Sequence, residues 1–440
     1  MESSIWVETS RAPEFDALKT DAKTDVLVIG GGIAGILCAY MLERAGVEYM
    51  LVEADRICQG ITRNTTAKIT AQHGLIYNKL LHEFGVEAAR MYLEANLAAV
   101  EKYREMCREI DCDFEEKDSF VYSTDKPQKI ENELEALEKI GFAAELSRDL
   151  PIPISTVGAV KFRNQAQFNP LKFLYAVAAG LNIREHTKVL GFGRNEVITN
   201  RGKISAEKTI VATHFPLLNK HGSYFLKLYQ QRSYVIALKA APDVNGMYID
   251  ESGKGLSFRN YKDLMFIGGG NHRTGKKGSG WRELDEFARK QYPDSKEVCR
   301  WATQDCMSLD GVPYIGQYSN STPNLYVATG FNKWGMSSAM VSAMLLSDMA
   351  LGRKNEYAKV FSPSRTVLRP QLAVNAAEAV VNLITPTAPR CPHMGCALKY
   401  NKSEHSWDCP CHGSRFAEDG TLLDNPATGD KQEMKKQARV

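Results

Sequence analysis

The chain has 440 residues, 44% of them hydrophobic, which is enough for two or three domains with ordinary buried cores. Its formal net charge of +3 comes without basic and aromatic clustering, so nucleic acid is excluded as an expected partner. Ten cysteines spread over this length do not make the framework of a small disulfide-rich protein.

The first 24 residues are polar and charged, with no apolar stretch and no twin arginine, so the expectation is a cytoplasmic protein without an export signal. Asp25-Val-Leu-Val-Ile29 then reads as an apolar strand, and Gly30-Gly31-Gly32-Ile33-Ala34-Gly35 follows it. An apolar-periodic helix over 36–45 and a second strand over 47–52 lead to Glu53. Strand, glycines, helix, strand and acid in this order form a dinucleotide fingerprint. Gly30 makes the tight turn, Gly32 admits a pyrophosphate, and Gly35 lets helix pack on strand. The phosphates belong at the helix N-terminus, where free N–H groups and the dipole favour anions. Glu53 is placed to accept ribose hydroxyls.

No compact series of β-α repeats follows Glu53, which argues against an NAD domain. Instead Gly60-Ile-Thr-Arg-Asn-Thr-Thr-Ala67 supplies Thr65 and Thr66, small hydroxyl side chains suited to a flat ring. Residues 87–110 and 126–140 have helical apolar periodicity, and Asn169-Pro170 opens a further helix with asparagine as N-cap. Strand-like runs at 160–163, 233–239, 246–249 and 264–268 suit an antiparallel roof over the ring. A strand over 324–329 precedes Gly330-Phe-Asn-Lys-Trp-Gly335-Met336-Ser337, which opens a long helix. Gly330, Gly335 and Met336 are therefore further cofactor candidates, because a helix start stabilises the anionic end of a reduced flavin. The helix candidate over 336–351 is interrupted by Asp348 and too short to cross a bilayer, so no transmembrane segment is expected.

Together these segments resemble the D-amino-acid-oxidase (DAO) type of FAD-dependent oxidoreductase over about residues 24–352. The resemblance implies FAD and an α/β fold. A Rossmann-like FAD-binding domain (24–77, 150–215, 300–352) would interleave with an antiparallel-sheet substrate domain (78–149, 216–299), the whole body ending near residue 365. Within it, 209–213 stands for the crossing strand near the diphosphate and 308–316 for the lead-in to the last flavin loop. Oxidases of this type usually hold a substrate carboxylate with an arginine or tyrosine of the roof. That makes Arg232 and Tyr234 the catalytic candidates, with His272 and Arg273 behind them.

A helical arm over 371–384 and a stiff linker at 385–389 complete the connecting segment 366–389. Then come Cys391-Pro-His393-Met-Gly395-Cys396 and Cys409-Pro-Cys411-His412-Gly413-Ser414, each with one thiolate and one imidazole candidate. Zinc is the alternative to iron–sulfur for such a quartet. Its usual spacing groups cysteines with cysteines and histidines with histidines, whereas each loop here mixes them. The two loops match the ligand boxes of the Rieske family letter by letter. That resemblance implies a [2Fe–2S] cluster on Cys391, His393, Cys409 and His412, with Cys396 bonded to Cys411. Ser414 stands where high-potential members place a hydroxyl donating to a cluster sulfide. Phe416 stands where they often have a tyrosine, which implies a lower potential.

The cluster domain, 390–430, is expected to be a truncated all-β unit with a proline loop at Asn425-Pro426-Ala427, little room for a supporting sheet, and a charged tail over 431–440. Being small, it should lean on the body near Lys333-Trp334. The whole chain resembles bacterial fusions of a DAO-type flavoprotein with a C-terminal Rieske domain. The expected function is dehydrogenation of a small amine or amino-acid-like donor, with electrons relayed through the cluster to an unidentified acceptor, protein or quinone. The competing reading is an electron-transfer or redox-sensing module with no small organic substrate. A Rieske oxygenase ranks last, because the remaining histidines lack the spacing for a two-histidine, one-carboxylate iron.

Overall fold

A computed structural model describes residues 3–193, 196–218, 221–253, 255–365, 368–386 and 389–431. Two residues of the expected linker, 387 and 388, and the tail beyond 431 lie outside that description.

Strand Ala22–Ile29 sits at the middle of an eight-stranded sheet. Val26 through Ile29 are all buried, which is why the run is continuously apolar. It pairs in parallel with Tyr49–Val52 on one side and Lys203–Val211 on the other, and Leu325–Thr329 extends the parallel order. Helices Ile33–Arg44 and Gly335–Ala350 pack together against this sheet. The second of them buries Ser338, Ala339, Ser342 and Ala343, small side chains that allow close approach.

A nine-stranded sheet forms the roof. Its strands run Lys296–Ser308, Leu228–Lys239, Leu264–Arg273, Ser257–Tyr261, Met247–Asp250, Glu115–Ser123, Gly158–Gln167 and Lys68–Ile69, with Glu145–Ser147 beside Gly158–Gln167. All pairs are antiparallel except Met247–Asp250 with Glu115–Ser123. The fold is thus the expected Rossmann-like layer with an interleaved substrate sheet, but the segment boundaries move. Lys296–Ser308 pairs along its length with Leu228–Lys239, so residues 300–308 belong to the roof. Lys68–Ile69 and Gly158–Gln167 also belong there and not to the nucleotide layer.

The helix expected from residue 87 is part of Tyr77–Cys107, interrupted at Gly85 (φ +85°). Asn169 caps Pro170–Ala178, its Oδ1 accepting from the N–H groups of Leu171 and Lys172, both at 3.1 Å. The arm is helix Pro370–Ile384. Beyond it, the cluster domain has a four-stranded antiparallel sheet: Lys399–Asn401, Ser406–Asp408, Arg415–Ala417 and Leu422–Asp424. Contrary to expectation, there is room for a sheet. Three-residue strands are too short to show a period-two pattern, so the sequence hid them. Among the described residues no helix is long and apolar enough to cross a membrane.

Candidate flavin cavity and cluster site

A cavity of about 620 Å³ lies between the nucleotide layer and the roof. At one end the fingerprint builds a phosphate cradle. Gly30 has φ +111°, and a Cβ there would stand 2.6 Å from Ala212 O, so the turn admits only glycine. A Cβ on Gly35 would collide with the carbonyl oxygen of Gly30, which fixes how closely the helix packs on the turn. A Cβ on Gly32, by contrast, would meet only Thr62 Oγ1, at 3.3 Å, and would occupy space at the cavity wall. Glu53 lines the same end. Its carboxylate accepts from Gly31 N at 2.6 Å and Asp55 N at 3.0 Å, and burial raises its pKa against those bonds. Each oxygen keeps acceptor capacity for a hydroxyl. The glycine cradle and this acid fit a dinucleotide.

Thr65 and Thr66 line the cavity on a loop held from behind. Trp6 Nε1 donates to Thr65 O at 2.7 Å, and Arg259 Nη1 donates to Thr66 O at 2.6 Å. Gly335 and Met336, the first residues of helix Gly335–Ala350, also line it. Gly330 does not; its Cβ position abuts Leu228 and Ser308, so it serves the turn before the helix.

The roof candidates point elsewhere. Side chains alternate along Leu228–Lys239, so Ser233 and Val235 face the cavity while Arg232 turns to the opposite side. Arg232 is 2% exposed and grips Glu404 of the cluster domain through both Nε (2.9 Å) and Nη2. Tyr234 contributes to the cavity wall, but its hydroxyl donates to Glu404 Oε1 at 2.9 Å. His272 stacks on Tyr234 and pairs its Nδ1 with Gly270 O at 3.0 Å. Arg232 and Tyr234 do bind a carboxylate, but one supplied by the chain itself. Polar groups on this side that do face the cavity include Ser233, Asn271, Thr303, Asp305 and Lys333. Lys333 Nζ donates to Asn271 Oδ1 at 2.8 Å and Ser233 Oγ at 3.1 Å. Burial raises the Asp305 carboxyl, opposed by Lys333 and His214, and lowers the Lys333 ammonium. Residue parity on the strands was the signal that would have found them.

In the cluster domain Cys391 and Cys409 are buried, and the His393 and His412 rings stand 5.0 Å apart at 89°. Cys396 and Cys411 form a disulfide with Cα atoms 6.7 Å apart, and Cys409 Sγ lies within 4.8 Å of both their sulfurs. The disulfide takes those two sulfurs out of the ligand set, leaving two thiols and two imidazoles. His412 Nδ1 is buried with no hydrogen-bond partner, a lone pair that a metal would satisfy. The two thiols face each other: Cys409 holds the Cys391 thiol down, while Cys391 and burial push the Cys409 thiol up. The donor set fits the cluster. Ser414 Oγ accepts from Ala427 N at 3.0 Å and its hydroxyl bonds the Cys391 thiol.

The domain docks with its histidines inward. The Phe215 ring lies 6.2 Å from His393 and 6.3 Å from His412, and Phe225 lies 6.3 Å from His412. Thr213 and His214, the two residues before Phe215, line the cavity. Asn425 Nδ2 donates to Thr213 O at 2.6 Å, and Gln304 Nε2 donates to Gly413 O at 2.9 Å. Arg273 Nε reaches Pro410 O at 3.1 Å. The dock therefore lies on the outer face of the roof and on the 213–215 turn, not on Lys333-Trp334. Trp334 instead stacks on buried His73, 4.9 Å away. At its centre Glu404 also accepts from Arg415 Nη2 at 2.7 Å, and Arg415 pairs with Asp408 and Asp424. Burial would raise Glu404, but Arg232 and Arg415 hold it at about 2.

Residues 25–349 match the family model for the FAD dependent oxidoreductases (DAO), and residues 351–435 match that for the Rieske [2Fe-2S] domain. The chain belongs to the DAO family and carries a C-terminal Rieske domain. Its cofactors are FAD and a [2Fe–2S] cluster. YhfW of Bacillus subtilis (strain 168), named as a Rieske 2Fe-2S iron-sulfur protein, is 36% identical over 96% of each chain. Gamma-glutamylputrescine oxidoreductase of Escherichia coli (strain K12) is 23% identical over 82% of this chain and 93% of its own. L-Proline dehydrogenase from P. horikoshii superposes with a TM-score of 0.66 at 19% identity, over 78% of this chain and 98% of its own, a likeness of fold.

Proposed function

We propose that this FAD oxidoreductase is a dehydrogenase of an amine or amino-acid-like donor, and that its electrons leave through the Rieske cluster to a protein or quinone acceptor. The observation that carries the reading is the seat of the two cluster histidines on Phe215, one residue beyond the cavity-lining Thr213 and His214. FAD supplies the two-electron oxidation and the cluster carries electrons singly. The chain's own contribution is positional. The glycine cradle and Glu53 hold the nucleotide, the roof closes the cavity, and the Glu404 lattice holds the cluster against the 213–215 turn. The relatives named for an amine or an amino acid, gamma-glutamylputrescine and L-proline, favour a CH–NH donor.

A second reading is an electron-transfer or redox-sensing protein with no small substrate. It is favoured by one fact, that Arg232 and Tyr234 are spent on Glu404. Anaerobic titration of the FAD- and cluster-loaded protein with a panel of amines and amino acids separates the two. Flavin bleaching at about one equivalent supports the dehydrogenase, and indifference to the whole panel supports the second reading.

A further inference from the structure

The proline loop of the cluster domain, 425–428, follows the last strand Leu422–Asp424 and forms part of the wall of the flavin cavity. Its two anchors on the body fall at the dinucleotide end. Asn425 Nδ2 donates to Thr213 O at 2.6 Å and to Phe215 O at 3.3 Å. Thr213 abuts the fingerprint: a Cβ on Gly30 would stand 3.3 Å from its Cα. At the far end of the loop, Thr428 O accepts from Lys188 Nζ. Lys188 follows Thr187, whose N–H donates to Glu53 O at 2.8 Å. The loop thus spans from the glycine turn that cradles phosphate to the acid placed for a ribose. Leu423, in the strand before it, is 49% exposed and presents an apolar side chain to the same cavity. From behind, the loop is held by residues that build the cluster site. Ala427 N donates to Ser414 Oγ at 3.0 Å, and the Ser414 hydroxyl bonds the Cys391 thiol. Arg415, next to Ser414, donates from Nη1 to Asp424 Oδ2 at 2.9 Å. One short segment is tied to a cluster ligand on one side and to the dinucleotide cradle on the other.

We infer that segment 423–428 is an FAD-binding element supplied by the cluster domain, closing over the ribose and diphosphate, so that cluster and FAD bind cooperatively. A ligated Cys391 fixes Ser414 and, through it, Ala427. Asn425 then holds the loop against Thr213, beside the cradle. A nucleotide seated in that cradle orders the same segment from the other side. Each ligand thereby lowers the ordering cost that the other meets. By linkage, the factor by which the cluster tightens FAD equals the factor by which FAD tightens the cluster. The coupling holds whatever donor the flavin oxidises. Two domains that are consecutive in the sequence then load their cofactors as one unit.

The test is titration of the flavin-free, full-length protein with FAD, followed by flavin fluorescence, with the cluster in place and after its anaerobic removal by a chelator. FAD is expected to bind roughly fivefold or more tightly when the cluster is present, the lower end of ordinary coupling between sites. Bound FAD should in turn slow loss of the cluster to the chelator. Asn425→Ala keeps all four cluster ligands, so it should retain the cluster spectrum. Its FAD affinity should fall by a similar factor, because the loop is no longer bonded to Thr213. If that variant sheds its cluster, Leu423→Glu decides: it leaves Ser414, Asn425 and Ala427 in place, and FAD should bind more weakly with the cluster spectrum unchanged. If removing the cluster abolishes the circular dichroism of the fold, the variants and the chelator rate decide. Equal FAD affinity with and without the cluster, wild-type affinity in the deciding variant, or a chelator rate indifferent to FAD would each overturn the inference.

Discussion

Gly32 and Gly35 stand three residues apart and should fail in different ways when given a side chain. Gly32 has room on its own side of the cavity, so Gly32→Val should fold and lose FAD. Gly35→Ala places its Cβ on the Gly30 carbonyl and should lose the fold itself. Flavin-to-protein absorbance together with circular dichroism separates the two outcomes. A yellow Gly32→Val protein would contradict the cradle. Phe416 gives a second residue-scale test. It is fully buried in the small core around Cys391 and Cys409. Phe416→Tyr adds a donor in that core, and protein-film voltammetry should record a higher cluster potential. An unchanged or lower potential would show that the new hydroxyl does not reach sulfur. The glycine turn and the meeting of the two Cys/His loops were legible in the sequence, because local backbone geometry and ligand chemistry leave few residue choices. The roof was not, because Arg232 and Ser233 differ by one position, and one position decides which face of a strand a side chain takes.

The dock depends on an element too small to stand alone, a sheet of three-residue strands whose arginine and acids close on the roof. Glu404 sits between Arg232 and Arg415. Glu404→Gln would leave both guanidiniums buried without that charge, and breaking such a pair costs about 3–5 kcal/mol. Its folded pKa, about 2, is depressed below the unfolded value of roughly 4.3. The stabilisation is therefore present above about pH 4.5 and lost as pH falls toward 2. Calorimetry from pH 6 to pH 3 should give wild type a falling melting temperature below about pH 4.5. The variant should start lower and fall less. Identical curves would remove Glu404 from the dock. None of this lattice could be read from the sequence, since its members come from residues 232, 404, 408, 415 and 424, and only the tertiary fold brings them together.

At the scale of the whole molecule, the two cofactor sites share walls. Leu423, Asp424 and Asn425 of the cluster domain line the flavin cavity, while Phe215 of the body covers the cluster histidines. The order of the two domains was plain in the sequence. Their contact was not, since the expected site at Lys333-Trp334 is occupied with packing on His73 and bonding to Ser233 and Asn271. Because the histidine edge faces inward, electron exchange between the centres should be a first-order event within one chain. The direct measurement is flash photoreduction of the flavin in the anaerobic holoprotein, with cluster reduction followed by absorbance and rapid-freeze EPR across a tenfold range of protein concentration. The account predicts a reduced-cluster signal whose rate does not change with concentration and which slows in Phe215→Leu. A flavin that stays fully reduced beside an oxidised cluster, or a rate proportional to concentration, would contradict it.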